Sequence, residues 1–87
     1  MKVSKVEVVA VRPNQGLVGF ASVELDGKLL LNSIGIHSRR DGRGYRLTYP
    51  TRAGGGAAIT VFHPINPDLS KEIEAQVFER AHKIFDL

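Results

Sequence analysis

His63 is the first residue to weigh as a catalyst, because an imidazole can trade a proton near neutral pH. It sits in a His63-Pro64-Ile65-Asn66 run. No serine or cysteine nucleophile is arranged with it, and no metal-ligand spacing joins it to His37 or His82. The preferred reading is structural: His63 and Pro64 turn a corner, and Asn66 caps the helix that starts there. Gly54-Gly55-Gly56 invites comparison with a phosphate-cradling loop, but a P-loop needs Gly-Lys-Ser/Thr opening a helix, and strand-like residues follow here, so a flexible hairpin connection is the preferred reading. The carboxylates supply no acid–base pair, since Glu72 and Glu79 read as a solvated helix face and Asp26 as a turn residue. Arginine is different. Arg39, Arg40, Arg43, Arg46 and Arg52 fall within fourteen positions and are opposed only by Asp41, a local charge of +4. Guanidinium groups bind phosphate bidentately, so this cluster is a candidate footprint for a polyanion. Its bland alternative is a solubilising loop. Tyr45, Tyr49 and Phe20 have rings that stack on bases in single-strand binders. Because Tyr45 and Tyr49 alternate with Leu47, a shared buried face is the better expectation for them.

These side chains need elements to carry them. Residues 2–11 are dense in valine and reach Pro13, which predicts a strand. Residues 17–25 alternate, placing Leu17, Gly19, Ala21, Val23 and Leu25 on one face. Asp26-Gly27 is suited to a hairpin turn, because both central positions accept positive φ. The returning strand spans 28–36. Leu30, Ile34 and Ile36 then point opposite to Leu29 and Leu31, so both sheet faces read as apolar. Residues 37–44 form a polar connection, 45–49 a short strand with Arg46 facing out, and 51–56 a mobile glycine loop. A fifth strand covers 58–62. The helix covers 67–85, with Pro67 suited to its first turn and an apolar stripe through Leu69, Ile73, Val77, Ala81 and Ile84. Glu79 and Lys83 are placed for an i,i+4 pair.

Ala21 to Asp26, the strand end Ile34-Gly35-Ile36, Tyr49-Pro50-Thr51-Arg52 and above all His63-Pro64-Ile65-Asn66 before a terminal amphipathic helix resemble the stage V sporulation protein G family (SpoVG, the septation protein). Most of the chain is covered, in the family's order and spacing. Tyr49 stands where the family has methionine, and Ala53 to Gly56 lacks the family's proline and acid. The resemblance implies a small dimeric regulator that binds DNA and RNA and influences septation and gene expression. Arg52 matches the basic position of the family's Pro-Ser-Lys/Arg segment.

Eighty-seven residues make one small domain. With no cysteine, disulfides, thiol catalysis and Cys-ligated zinc are excluded. The start of the chain shows no apolar signal region, and no run is long enough for a membrane helix, so a soluble cytoplasmic protein is expected. Residues 1–66 hold nine Lys/Arg against four Asp/Glu, whereas 67–87 hold three against five. The basic character therefore belongs to the part of the chain before the helix. The expected fold is α+β: a five-stranded, mainly antiparallel sheet with one C-terminal helix on one face. The expected function is a nucleic-acid-binding homodimer whose arginines at 39, 40, 43, 46 and 52 contact DNA and/or RNA phosphates. No enzyme activity, cofactor, metal, membrane or small-molecule substrate is expected. The alternative is a protein-interaction module that uses an exposed sheet edge or face.

Overall fold

A computed structural model describes residues 1–39 and 44–85. Strands β1 (Val3–Asn14), β2 (Leu17–Leu25), β3 (Leu29–Ser38) and β4 (Tyr45–Thr48) form an antiparallel meander in chain order. Strands β5 (Thr51–Gly54) and β6 (Ala57–Thr60) pair only with each other. Helix α1 (Pro67–Phe85) closes the described chain. The class is α+β, with four strands in the main sheet instead of five. Proline explains the break. Pro50 has no N–H to donate, so β4 ends at Thr48 and pairing restarts at Thr51 in a separate hairpin. The glycine run is the turn of that hairpin, the connection expected of it, although the strand before it starts at Thr51 where a loop was expected: Gly55 and Gly56 both take positive φ, which joins two strands directly.

The β2–β3 turn also uses positive φ, at Asp26 and Gly27. It closes when Lys28 N–H donates to the Leu25 carbonyl at 2.9 Å, so the returning strand starts at Leu29, one residue later than expected. β1 reaches past Pro13 to Asn14. As an edge strand it tolerates a residue that cannot donate to a ladder.

A bulge in β3 decides which faces are apolar. Ala21 pairs with Ile34 but Val23 with Leu31, so Ser22 alone opposes both Asn32 and Ser33. Ser33 takes φ 66° there. The extra residue resets the alternation and brings Leu29, Leu31, Ile34 and Ile36 onto one face, opposite Leu25, Val23, Ala21 and Gly19. The expectation of a second apolar face is thereby overturned. The uncovered face presents Lys5, Glu7, Ser22 and Glu24 together with the exposed apolar Val9, Phe20 and Leu30, a mixed surface. A second register slip, between Leu17 and Gly19, removes Leu17 from the face it was expected to share.

The helix covers the apolar face. Ile73, Val77 and Ala81 are fully buried against Ala21, Val23, Leu25, Ile34 and Ile36, while Ile84 at the end of the stripe stays exposed. Each buried Ile, Val or Leu among them contributes roughly 1.5–3 kcal/mol. Gly19 is required beneath the last turn, because a Cβ there would lie 2.8 Å from the Phe85 ring and 2.6 Å from the Val9 carbonyl oxygen. Asn66 Oδ1 accepts the Leu69 N–H at 2.9 Å, satisfying one free donor of the first turn. Glu79 and Lys83 form their i,i+4 pair at 3.6 Å. Glu72 departs from the solvated face assigned to it: half-buried, it accepts the Val3 N–H at 3.3 Å and ties the helix to β1.

Candidate nucleic-acid interface

Arg46 and Arg39 flank the β3–β4 connection. Arg39 follows the last residue of β3 and is exposed, and its backbone N–H donates to the Gly44 carbonyl at 2.9 Å, closing the base of the connection. Arg40 and Arg43 lie outside the described residues. Arg46 is exposed and pairs with His37 across the strands, on the face away from the helix. Tyr45 and Leu47, to either side of it, are turned to the core. Strand alternation thus separates the guanidinium of Arg46 from the rings beside it.

Arg52 does not join them. It is exposed on β5, opposite Ile59, in the separate hairpin. The structure therefore places the described arginines of the cluster in two regions, Arg39 and Arg46 at the sheet end and Arg52 on the hairpin. Among the described residues Arg39, Arg46 and Arg52 form no ion pair, so their donors are open to solvent. Arg12 was not singled out by sequence reasoning. It is exposed near the end of β1, two residues before Asn14, which lies in the same cross-strand row as Leu17, His37 and Arg46. The signal was its place just before the Pro13 turn region, at the same end of a meander as the β3–β4 connection.

His37 links β3 to β4 at this end. Its Nε2 lies 2.9 Å from Thr48 Oγ1, diagonally across β3 and β4. Gly35 makes room for the pair: a Cβ there would stand 2.5 Å from Thr48 Oγ1 and 3.2 Å from His37 Nε2. Burial, and secondarily the Arg46 charge, hold the His37 pKa below its ordinary 6.5. The neutral imidazole therefore predominates at pH 7, and the fixed positive charge beside it belongs to Arg46. Sequence reasoning weighed His37 only as a metal ligand and missed this contact, which depends on the β3–β4 register.

The aromatic residues divide. Tyr45 packs against helix rings, with centroids 5.2 Å from His82, 5.9 Å from Phe85 and 6.4 Å from Phe78. Tyr49 meets Phe62 edge-on at 6.1 Å, its hydroxyl buried with no hydrogen-bond partner. Burial and, behind it, the Glu74 carboxylate raise the Tyr49 pKa above 10. Phe20, 40% exposed, pairs with Gly35 and Val9 on the uncovered face. It is the ring of the three best placed to stack on a ligand.

At the helix start, His63 is exposed with Nδ1 3.2 Å from the Pro64 carbonyl oxygen, and Pro64 is half-buried. Among the described residues no three His, Asp or Glu side chains converge as a metal site. Among the described residues no helix is long and apolar enough to cross a membrane. The SpoVG family model matches residues 1–83. No curated protein matches the chain.

Proposed function

The chain belongs to the SpoVG family, which supports a small regulator of the septation type, and from that premise we propose that it is a homodimeric nucleic-acid-binding protein. Its arginines at 39, 40, 43 and 46 contact phosphates, and Arg52 adds a separate contact from the hairpin. The observation that carries this reading is the pair of exposed, unpaired guanidinium groups of Arg39 and Arg46. They flank a segment that contributes two more arginines. Such contacts set affinity and orientation without reading sequence. The protein acts by binding, not by catalysis, in the cytoplasm.

Titration of duplex DNA, single-stranded DNA and RNA at several salt concentrations tests the proposal. Tight binding at low salt that weakens steeply as salt rises is expected. Absence of binding at low salt to all three would sink it. A protein-interaction module is the second reading, favoured by the exposed apolar residues of the β5–β6 hairpin and selected by that negative result.

A further inference from the structure

Phe20 belongs to a row that crosses the whole main sheet. Val9, Phe20, Gly35 and Thr48 stand opposite one another on β1 to β4, on the face that the helix leaves uncovered. Phenylalanine is among the residues a small fold most often buries, yet Phe20 is exposed while Tyr45 and Tyr49 pack inward. Gly35 contributes no side chain to the row, and Val9 on the other side is 64% exposed, so the ring stands open to a ligand. The next row toward the β3–β4 connection holds Leu17, His37 and Arg46. His37 is tied to Thr48 at 2.9 Å, whereas Arg46 is exposed and forms no ion pair among the described residues.

Charge along this face indicates what it complements. Toward the β2–β3 turn, Glu7 stands opposite Ser22 and Glu24 opposite Lys5. Both carboxylates are engaged, Glu7 with Lys5 Nζ at 3.1 Å and Glu24 with the Ser4 hydroxyl at 2.9 Å. The face thus carries two carboxylates against one lysine at its far end, and an open guanidinium in the row beside Phe20. An anion joined to a flat apolar group matches that end: the anion meets the guanidinium and the flat group meets the ring. A nucleotide of an unpaired strand has both parts. In a duplex the faces of each base are covered by its neighbours, so only an unstacked base can reach the ring.

We propose that the uncovered sheet face takes an unpaired nucleobase of single-stranded RNA or DNA against the Phe20 ring, with the adjoining phosphate on Arg46. This rests on the nucleic-acid reading above, and it names the form of the ligand and the side chain that selects it. The arginines attract any polyanion, and Phe20 adds a preference for single strands. Every base has a π-face, so one ring distinguishes an open strand from a duplex while reading little of the sequence.

Phe20→Leu removes the ring and keeps an apolar side chain on an exposed position, so circular dichroism should match wild type. Its affinity should fall about 5- to 150-fold, the range for one lost base stack, on whichever short single strand, RNA or DNA, the wild type binds more tightly. Duplex affinity should change less than about twofold, because no stacked base reaches the ring. An abasic strand, which keeps the phosphates and lacks the bases, should bind wild type and Phe20→Leu equally. The salt slope of Phe20→Leu should also match wild type, whereas Arg46→Ala should flatten it by about 0.7 on a single strand. Phe20→Trp should bind like wild type, with its fluorescence quenched by the single strand and not by the duplex. A wild type that binds neither single strands nor duplex at low salt overturns the nucleic-acid reading and this inference together. A wild type that binds nucleic acid overturns the stacking contact alone if Phe20→Leu loses nothing on single strands or loses as much on duplex. An unquenched Phe20→Trp chain does the same.

Discussion

Gly35 shows how one missing side chain organises a surface. The His37–Thr48 contact passes over it, and alanine would drive a methyl group against Thr48 Oγ1. Gly35→Ala should destabilise the fold by about 1–3 kcal/mol, the usual cost of overpacking. Thr48→Ala, which vacates that space, should recover part of the loss in a double-mutant cycle read by urea denaturation. His37 also makes stability depend on pH. The unfolded imidazole titrates near 6.5 and the folded one lower, so below 6.5 the unfolded chain binds more protons. Stability therefore falls as pH drops through that window. An NMR titration should find the His37 midpoint below 6.5, and Arg46→Ala should move it upward only in part, since burial is the larger cause. Tyr49 offers the opposite case. Its buried hydroxyl has no partner, so Tyr49→Phe should leave stability unchanged or raise it by up to about 1 kcal/mol.

Among the elements, the helix and the hairpin stand in opposite relations to the core. Ile73 is wholly enclosed between α1 and the sheet, so Ile73→Ala should cost roughly 2–5 kcal/mol. Asn66→Ala removes only the cap and should cost about 1 kcal/mol. Equal, negligible effects in chemical denaturation would mean that the helix does not hold the fold. Both residues were legible in the sequence, because a cap followed by a four-residue apolar period is a local pattern. The hairpin was not legible as a separate body. Its strands are four residues each, and although its glycines read as a hairpin connection, β5 reads in the sequence as part of the loop.

For the molecule as a whole, charge on the sheet end is the property that binding should follow. Replacing Arg39, Arg40 and Arg43 together with alanine should flatten the log–log salt slope on duplex DNA by about 2.7 units per protomer, at about 0.9 for each phosphate that is no longer neutralised. The fold should be retained, because Arg39 is exposed and donates only through its backbone. Glu79→Ala is the matching control, being exposed on the helix and paired only with Lys83. Glu72 cannot serve, since it holds the Val3 N–H. An unchanged affinity and slope in the arginine variant would make the cluster a solvated loop.

Composition, turn chemistry and periodicity by themselves determined a small α+β domain, its helix start at Asn66, its tight β2–β3 turn and an arginine-rich connection. All of these depend on residues a few positions apart, where backbone preference and local hydrogen bonds decide. The tertiary structure alone decided the rest. The bulge at Ser33 put Ile34 and Ile36 on the same face as Leu31, cancelling the second apolar face that strict alternation implied. Pro50 detached β5 and β6 from the sheet and took Arg52 away from Arg46. Register between β3 and β4 set His37 against Thr48. A one-residue shift in pairing turns every later side chain to the other face, and no local preference records where such a shift occurs.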